Sequence, residues 1–142
     1  MGSVGANKGT TSTASVTDRV NSFIEELNDR NYGTSKKYVP DKQQKEYRAL
    51  RREILHHIDV WGIPENGGLL IFSSGFANHD EFVHTTAKLN QYQRLVRSEA
   101  KSIKTDLSLG VITPEQAEKE LYVVRSLDAT IKRRRQLLKE WM

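Results

Sequence analysis

Leu109-Gly110-Val111-Ile112-Thr113-Pro114-Glu115-Gln116 is the stretch that decides the fold. Three start rules for a helix agree there. Thr113 offers a side-chain cap, Pro114 stands at the first helical position, and Gln116 completes capping-box spacing. Downstream, Ala117, Leu121, Val124, Leu127, Ile131, Leu138 and Trp141 recur at near-heptad intervals, so the helix should run almost to Met142. Upstream, Phe82, Leu89, Val96 and Ile103 repeat every seven residues, with Leu95 and Leu107 extending the stripe and Tyr92 and Ala100 beside it. Asn78 caps that helix with Glu81 three residues on, and it should run to about Leu109, roughly 45 Å. Gly110-Val111-Ile112 is too short to do anything but reverse the chain. Two long apolar-striped helices joined this way pack antiparallel. A fold point between Val111 and Ile112 pairs Leu127 with Val96, Ile131 with Tyr92 and Trp141 with Phe82, all apolar.

Working outward towards the N-terminus, Asp41 opens another helix, with Gln44 at capping-box distance. Its apolar set is Tyr47, Leu50, Ile54, Ile58 and Trp61, widened by Leu55, and Gly62 and Pro64 stop it. An earlier helix should start near Ser15–Thr17 and run to about Arg30. Val20, Phe23, Ile24 and Leu27 form its stripe, Asp18 sits in its first turn, and Gly33 ends it. Between the helix pairs, Glu65-Asn66-Gly67-Gly68 is a turn. Leu69-Leu70-Ile71-Phe72 has no helical period and reads as a short buried extended segment, without a partner strand. Residues 1–14 hold one base, no acid and no aromatic. They cannot bury enough apolar area to offset their ordering entropy, and predict a flexible leader. The expected architecture is all-α. A single helical domain spans 15–142, with N-terminal helices in 15–62, a long antiparallel helical hairpin in 78–142, and one extended segment near 69–72.

The chain has 142 residues, no cysteine and a net charge of +4. One domain of this size buries a real core. Without cysteine there is no disulfide, no thiolate metal ligand and no thiol nucleophile. No run of 18 apolar residues suggests a membrane span, and no apolar leader suggests secretion, so the expected location is cytoplasmic. The basic excess is small and spread along the chain. Two clusters stand out: Arg48, Arg51 and Arg52, and Lys132, Arg133, Arg134 and Arg135. Each reads first as a solvated helix face and second as a phosphate contact.

Other constellations fail on spacing. His79 and His84 are five apart, not the four that would set two ligands on one helix face; Asp80 with His84 supplies only two ligands, and His56 and His57 diverge. Ser73 in Phe72-Ser73-Ser74-Gly75 lacks the first glycine of a nucleophile elbow. The glycines form no phosphate loop. Glu25 with Glu26, and Glu118 with Glu120, read as solvent contacts rather than acid–base pairs. Phe76 reads as a plug for the core. No catalytic, cofactor-binding or metal residue is expected.

The segment LGVITPEQAEKEL, residues 109–121, is similar to the short C-terminal helical hairpins of many bacterial and phage proteins. A small cysteine-free helical chain behind a Gly/Ser/Thr leader resembles the small accessory and virion proteins of bacteriophages. That resemblance implies a viral structural or assembly component, or an inhibitor of a host complex, placed in the virion or the host cytoplasm. The functional expectation is therefore a non-enzymatic protein that works through helical surfaces on a protein partner, with a homo-oligomer expected. The alternative is a nucleic-acid-binding protein using the two basic clusters.

Overall fold

A computed structural model describes residues 13–30, 39–72 and 86–140 of the chain. Four helices account for most of them: α1 (Thr13–Asp29), α2 (Asp41–Trp61), α3 (Thr86–Ser108) and α4 (Pro114–Glu140). No strand occurs among the described residues. The fold is all-α, as the sequence predicts.

The α3–α4 connection is built as its residues dictate. Gly110 adopts φ 73°, the left-handed region that glycine enters without steric cost. Its N–H reaches the Leu107 carbonyl at 3.2 Å and the Val111 N–H reaches Asp106 at 2.8 Å, the Schellman pair that closes α3. Thr113 Oγ1 then accepts the Gln116 N–H at 3.1 Å, and Gln116 Oε1 accepts the Thr113 N–H at 2.8 Å. The capping box is thus complete. Gln93 bonds Asp128, and Arg135 bonds Asn90. These contacts fall within two residues, on either side, of the register that pairs Val96 with Leu127 and Tyr92 with Ile131. All four of those apolar residues are fully buried. The third expected pair, Trp141 with Phe82, lies outside the described residues, as do Asn78, Glu81, His79, His84, Ser73, Phe76 and Gly33.

Helices α1 and α2 each pack on both arms of the hairpin and make no close backbone approach to each other. They therefore cover different faces of it. Helix α1 runs parallel to α4, with Arg19 on Glu118 and, further along both helices, Arg30 on Asp128. Its apolar stripe, Val16, Val20, Phe23, Ile24 and Leu27, is buried against the hairpin. Helix α2 crosses obliquely: Glu46 meets Tyr92 on α3, and Asp59 meets Lys119 on α4 at 2.8 Å. Residues 68–72 then run down α4 without regular structure; the segment expected to be buried is not, with Leu69, Leu70 and Phe72 half-buried and Ile71 exposed. Tyr122 donates to the Gly68 carbonyl at 2.6 Å, and the N–H groups of Leu70 and Phe72 donate to Ser126 Oγ and Thr130 Oγ1, each at 3.2 Å. The match is geometric, because two extended residues and four helical ones both advance about 6 Å.

Four local expectations need correction. Helix α1 starts at Thr13, so Asp18 falls past its first turn. The last two residues of the expected leader belong to α1, and the rest lie outside the described residues. Asp41 is already helical and Pro40 holds the cap position, so no side-chain cap forms; the Gln44 amide instead donates to the Val39 carbonyl at 2.7 Å. Trp61 does not join the core and is 76% exposed. It lies one turn beyond Ile58, the last core residue of α2, where Gly62, at φ 80°, turns the chain away.

Candidate functional site: the two flanks of α2

Helix α2 is the outer layer on its face of the hairpin, and an open groove runs along each of its flanks. The flank towards α3 is a groove of about 500 Å³ with Arg48, Arg51 and Arg52 on one wall and Leu95, Ser98 and Glu99 on the other. The flank towards the 68–72 segment is a groove of about 590 Å³ lined by Ala49, Glu53, His56, His57, Trp61 and Phe72, with Arg52 on the ridge between the two.

The three arginines are brought together in sequence and in space, but they are not equivalent. Arg51 is committed inward. Its Nε donates to Glu99 at 2.6 Å and its Nη2 to Glu120, so one guanidinium ties α2 to both arms of the hairpin. Tyr47 donates to the other Glu99 oxygen at 2.7 Å. Burial pushes the Tyr47 hydroxyl well above its ordinary value, and the charge of Glu99 adds to it. Burial also works against the charge on Arg51, yet Glu99 and Glu120 outweigh it and the guanidinium is held protonated more firmly than usual. Arg48 and Arg52 are exposed. Arg48 touches only Gln44, at 3.4 Å, and Arg52 has no partner among the described residues.

The second basic cluster lies elsewhere. Glu120, which meets Arg51, and Lys132 are about 18 Å apart along α4. Lys132 leans to Asp128 at 3.8 Å, Arg133 bonds Gln136 at 3.4 Å, and Arg135 bonds Asn90 at 2.7 Å. Arg134 is half-buried, and desolvation lowers its pKa. The run therefore lies beside the N-terminal half of α3, and the two clusters do not merge into one stripe. Glu118 and Glu120, expected to face solvent, are instead interhelical partners of Arg19 and Arg51.

Trp61 is the residue whose role the sequence concealed, because its spacing from Ile54 and Ile58 is that of a core position. Val60 (54% exposed), Ile63 and Ile71 are exposed apolar residues as well. His57 faces the Trp61 ring with centroids 6.5 Å apart. Among the described residues, no group of three or more His, Asp or Glu is placed to hold a metal, and no helix is long and apolar enough to cross a membrane. No family model, curated protein or solved structure matches the chain.

Proposed function

We propose that the protein is a non-enzymatic interaction module whose working surface is the outer side and C-terminal end of α2. The carrying observation is Trp61, three-quarters exposed at the end of a well-packed helix, with Val60 and Ile63 near it in the chain also exposed. Exposed tryptophans with aliphatic neighbours and a charged rim are the usual anchors of protein interfaces. Arg52 and Glu53, which line the same groove as Trp61, supply that rim. The setting we propose, on resemblance in size and composition, is a bacteriophage accessory or virion component, or an inhibitor of a host complex. The test is capture from an extract of the native host, read by mass spectrometry, with wild type and Trp61→Glu as paired baits. A partner retained by wild type and lost by the variant, at unchanged thermal midpoint, supports the reading. A partner retained equally by both overturns it.

Nucleic-acid binding is the second reading, and Arg48, Arg52, Lys132 and Arg133, all solvent-facing, favour it. A duplex titration at two salt concentrations separates the readings, because affinity carried by phosphate contacts falls steeply with salt.

A further inference from the structure

The geometry points to a second copy of this chain as an occupant of the α2 surface, docked antiparallel along α2 itself. The inference deepens the interaction reading and uses the outer side of α2, not Trp61. Ala49, Glu53, His56 and Val60 lie on the outward side of α2, at a spacing of four, three and four that is that of a coiled-coil seam. The core residues Tyr47, Ile54 and Ile58 point the other way, into the hairpin.

A two-fold contact requires a surface that complements itself. An axis passing between Ile54 and Leu55 does this along the seam and on one flank. It sets the small Ala49 opposite Val60 of the second copy and Glu53 opposite His56. On the flank it brings Arg52 to Asp59, one heptad away. The parallel arrangement fails, since it would stack Arg52 on Arg52 and Glu53 on Glu53. The charges are also available. Arg52 and Glu53 have no partner among the described residues, and Asp59 makes only an exposed contact with Lys119. Burial of Val60 in this contact accounts for apolar surface that a lone molecule leaves in water.

Sedimentation of the full chain tests this, with a reciprocal charge design. Wild type should form a species of twice 16.2 kDa at tens of micromolar. Arg52→Glu alone and Asp59→Arg alone should each sediment as monomers, because each places like charges opposite one another. Their equimolar mixture should recover the double-mass species, since the new carboxylate of one variant then meets the new guanidinium of the other. A second variant guards against misfolding of the charge mutants. Because the chain has no cysteine, Ala49→Cys combined with Val60→Cys should oxidise to a covalent dimer. The two positions are about 16 Å apart within one helix, too far for an internal disulfide. Val60→Cys alone should not cross-link. A monomeric wild type, a mixture that stays monomeric, or cross-linking by Val60→Cys alone overturns the antiparallel seam. Trp61-dependent capture of a different protein would persist in the first case, so failure of the dimer is distinguishable from failure of the interaction reading.

Discussion

At Asp128 a carboxylate with 5% side-chain exposure accepts Arg30 Nη1 on both oxygens, at 2.9 and 2.8 Å, and a third contact from Gln93. The site joins α1, α3 and α4 through one side chain. A buried ion pair gains little over an apolar replacement, but removing one partner strands the other. Asp128→Ala should therefore cost about 3 kcal/mol, the low end for breaking a buried pair because Arg30 retains some water. Urea denaturation checks it: the midpoint falls, the slope is unchanged, and Asp128→Asn falls less. Tyr47 makes a second prediction at this scale. Its hydroxyl titrates well above 10 in the folded protein and near 10 when unfolded. The folded pKa is the raised one, so the stabilisation is fully present below 10 and is lost as pH rises through and beyond it. Tyr122 shifts in the same direction. The thermal midpoint should drop as pH rises from roughly 9 to 11 in wild type, and drop less in Tyr47→Phe.

At the scale of elements, helix ends and the 68–72 strap carry the testable content. The strap has no strand to pair with, so α4 supplies acceptors from Ser126 and Thr130, one turn apart. Ser126→Ala and Thr130→Val should each cost about 1 kcal/mol, the worth of a half-buried hydrogen bond. Amide exchange at Leu70 and Phe72 should quicken selectively while α1 stays protected. A different mechanism operates at the hairpin turn. Thr113→Ala removes the acceptor for the Gln116 N–H and should cost about 1 kcal/mol. Gly110→Ala meets no neighbouring atom within 4 Å, so its cost is conformational alone, about 1 kcal/mol from the left-handed backbone. The two thermal midpoints should fall by similar amounts for these unrelated reasons.

Across the whole molecule the hairpin is the middle layer, with α1 and α2 packed against it and apart from each other. Helix α4 is enclosed on nearly every side, which is why Leu121, Tyr122, Val123 and Val124 are all buried in succession. Substitutions on the two outer helices should then act independently. Ile24→Val on α1 and Ile54→Val on α2 should each cost about 1 kcal/mol. The double variant should equal their sum within about 0.5 kcal/mol. A coupling well above that, measured by a denaturation cycle, would mean that the outer helices communicate through the hairpin.

The sequence by itself determined the helices and the turn. Local chemistry suffices there: Thr113, Pro114 and Gln116 satisfy one another within a single turn, and the apolar stripes fix which face of each helix is buried. The strap at 69–72 was legible as extended and unpaired, because four apolar residues between turn signals have no helical period. What α4 does on its other faces was not legible, since burial on every side erases the period that a one-sided helix shows. The pairings of Arg51, Arg30 and Arg19 were equally hidden, because the carboxylates they meet lie between 48 and 99 positions away. Trp61 shows the limit most plainly. Its spacing is that of a core residue, and only the oblique crossing of α2, whose last buried residue is Ile58, leaves it in solvent. Periodicity reports which side of a helix is apolar, while the angle at which it crosses its neighbours decides how far along that side the core extends.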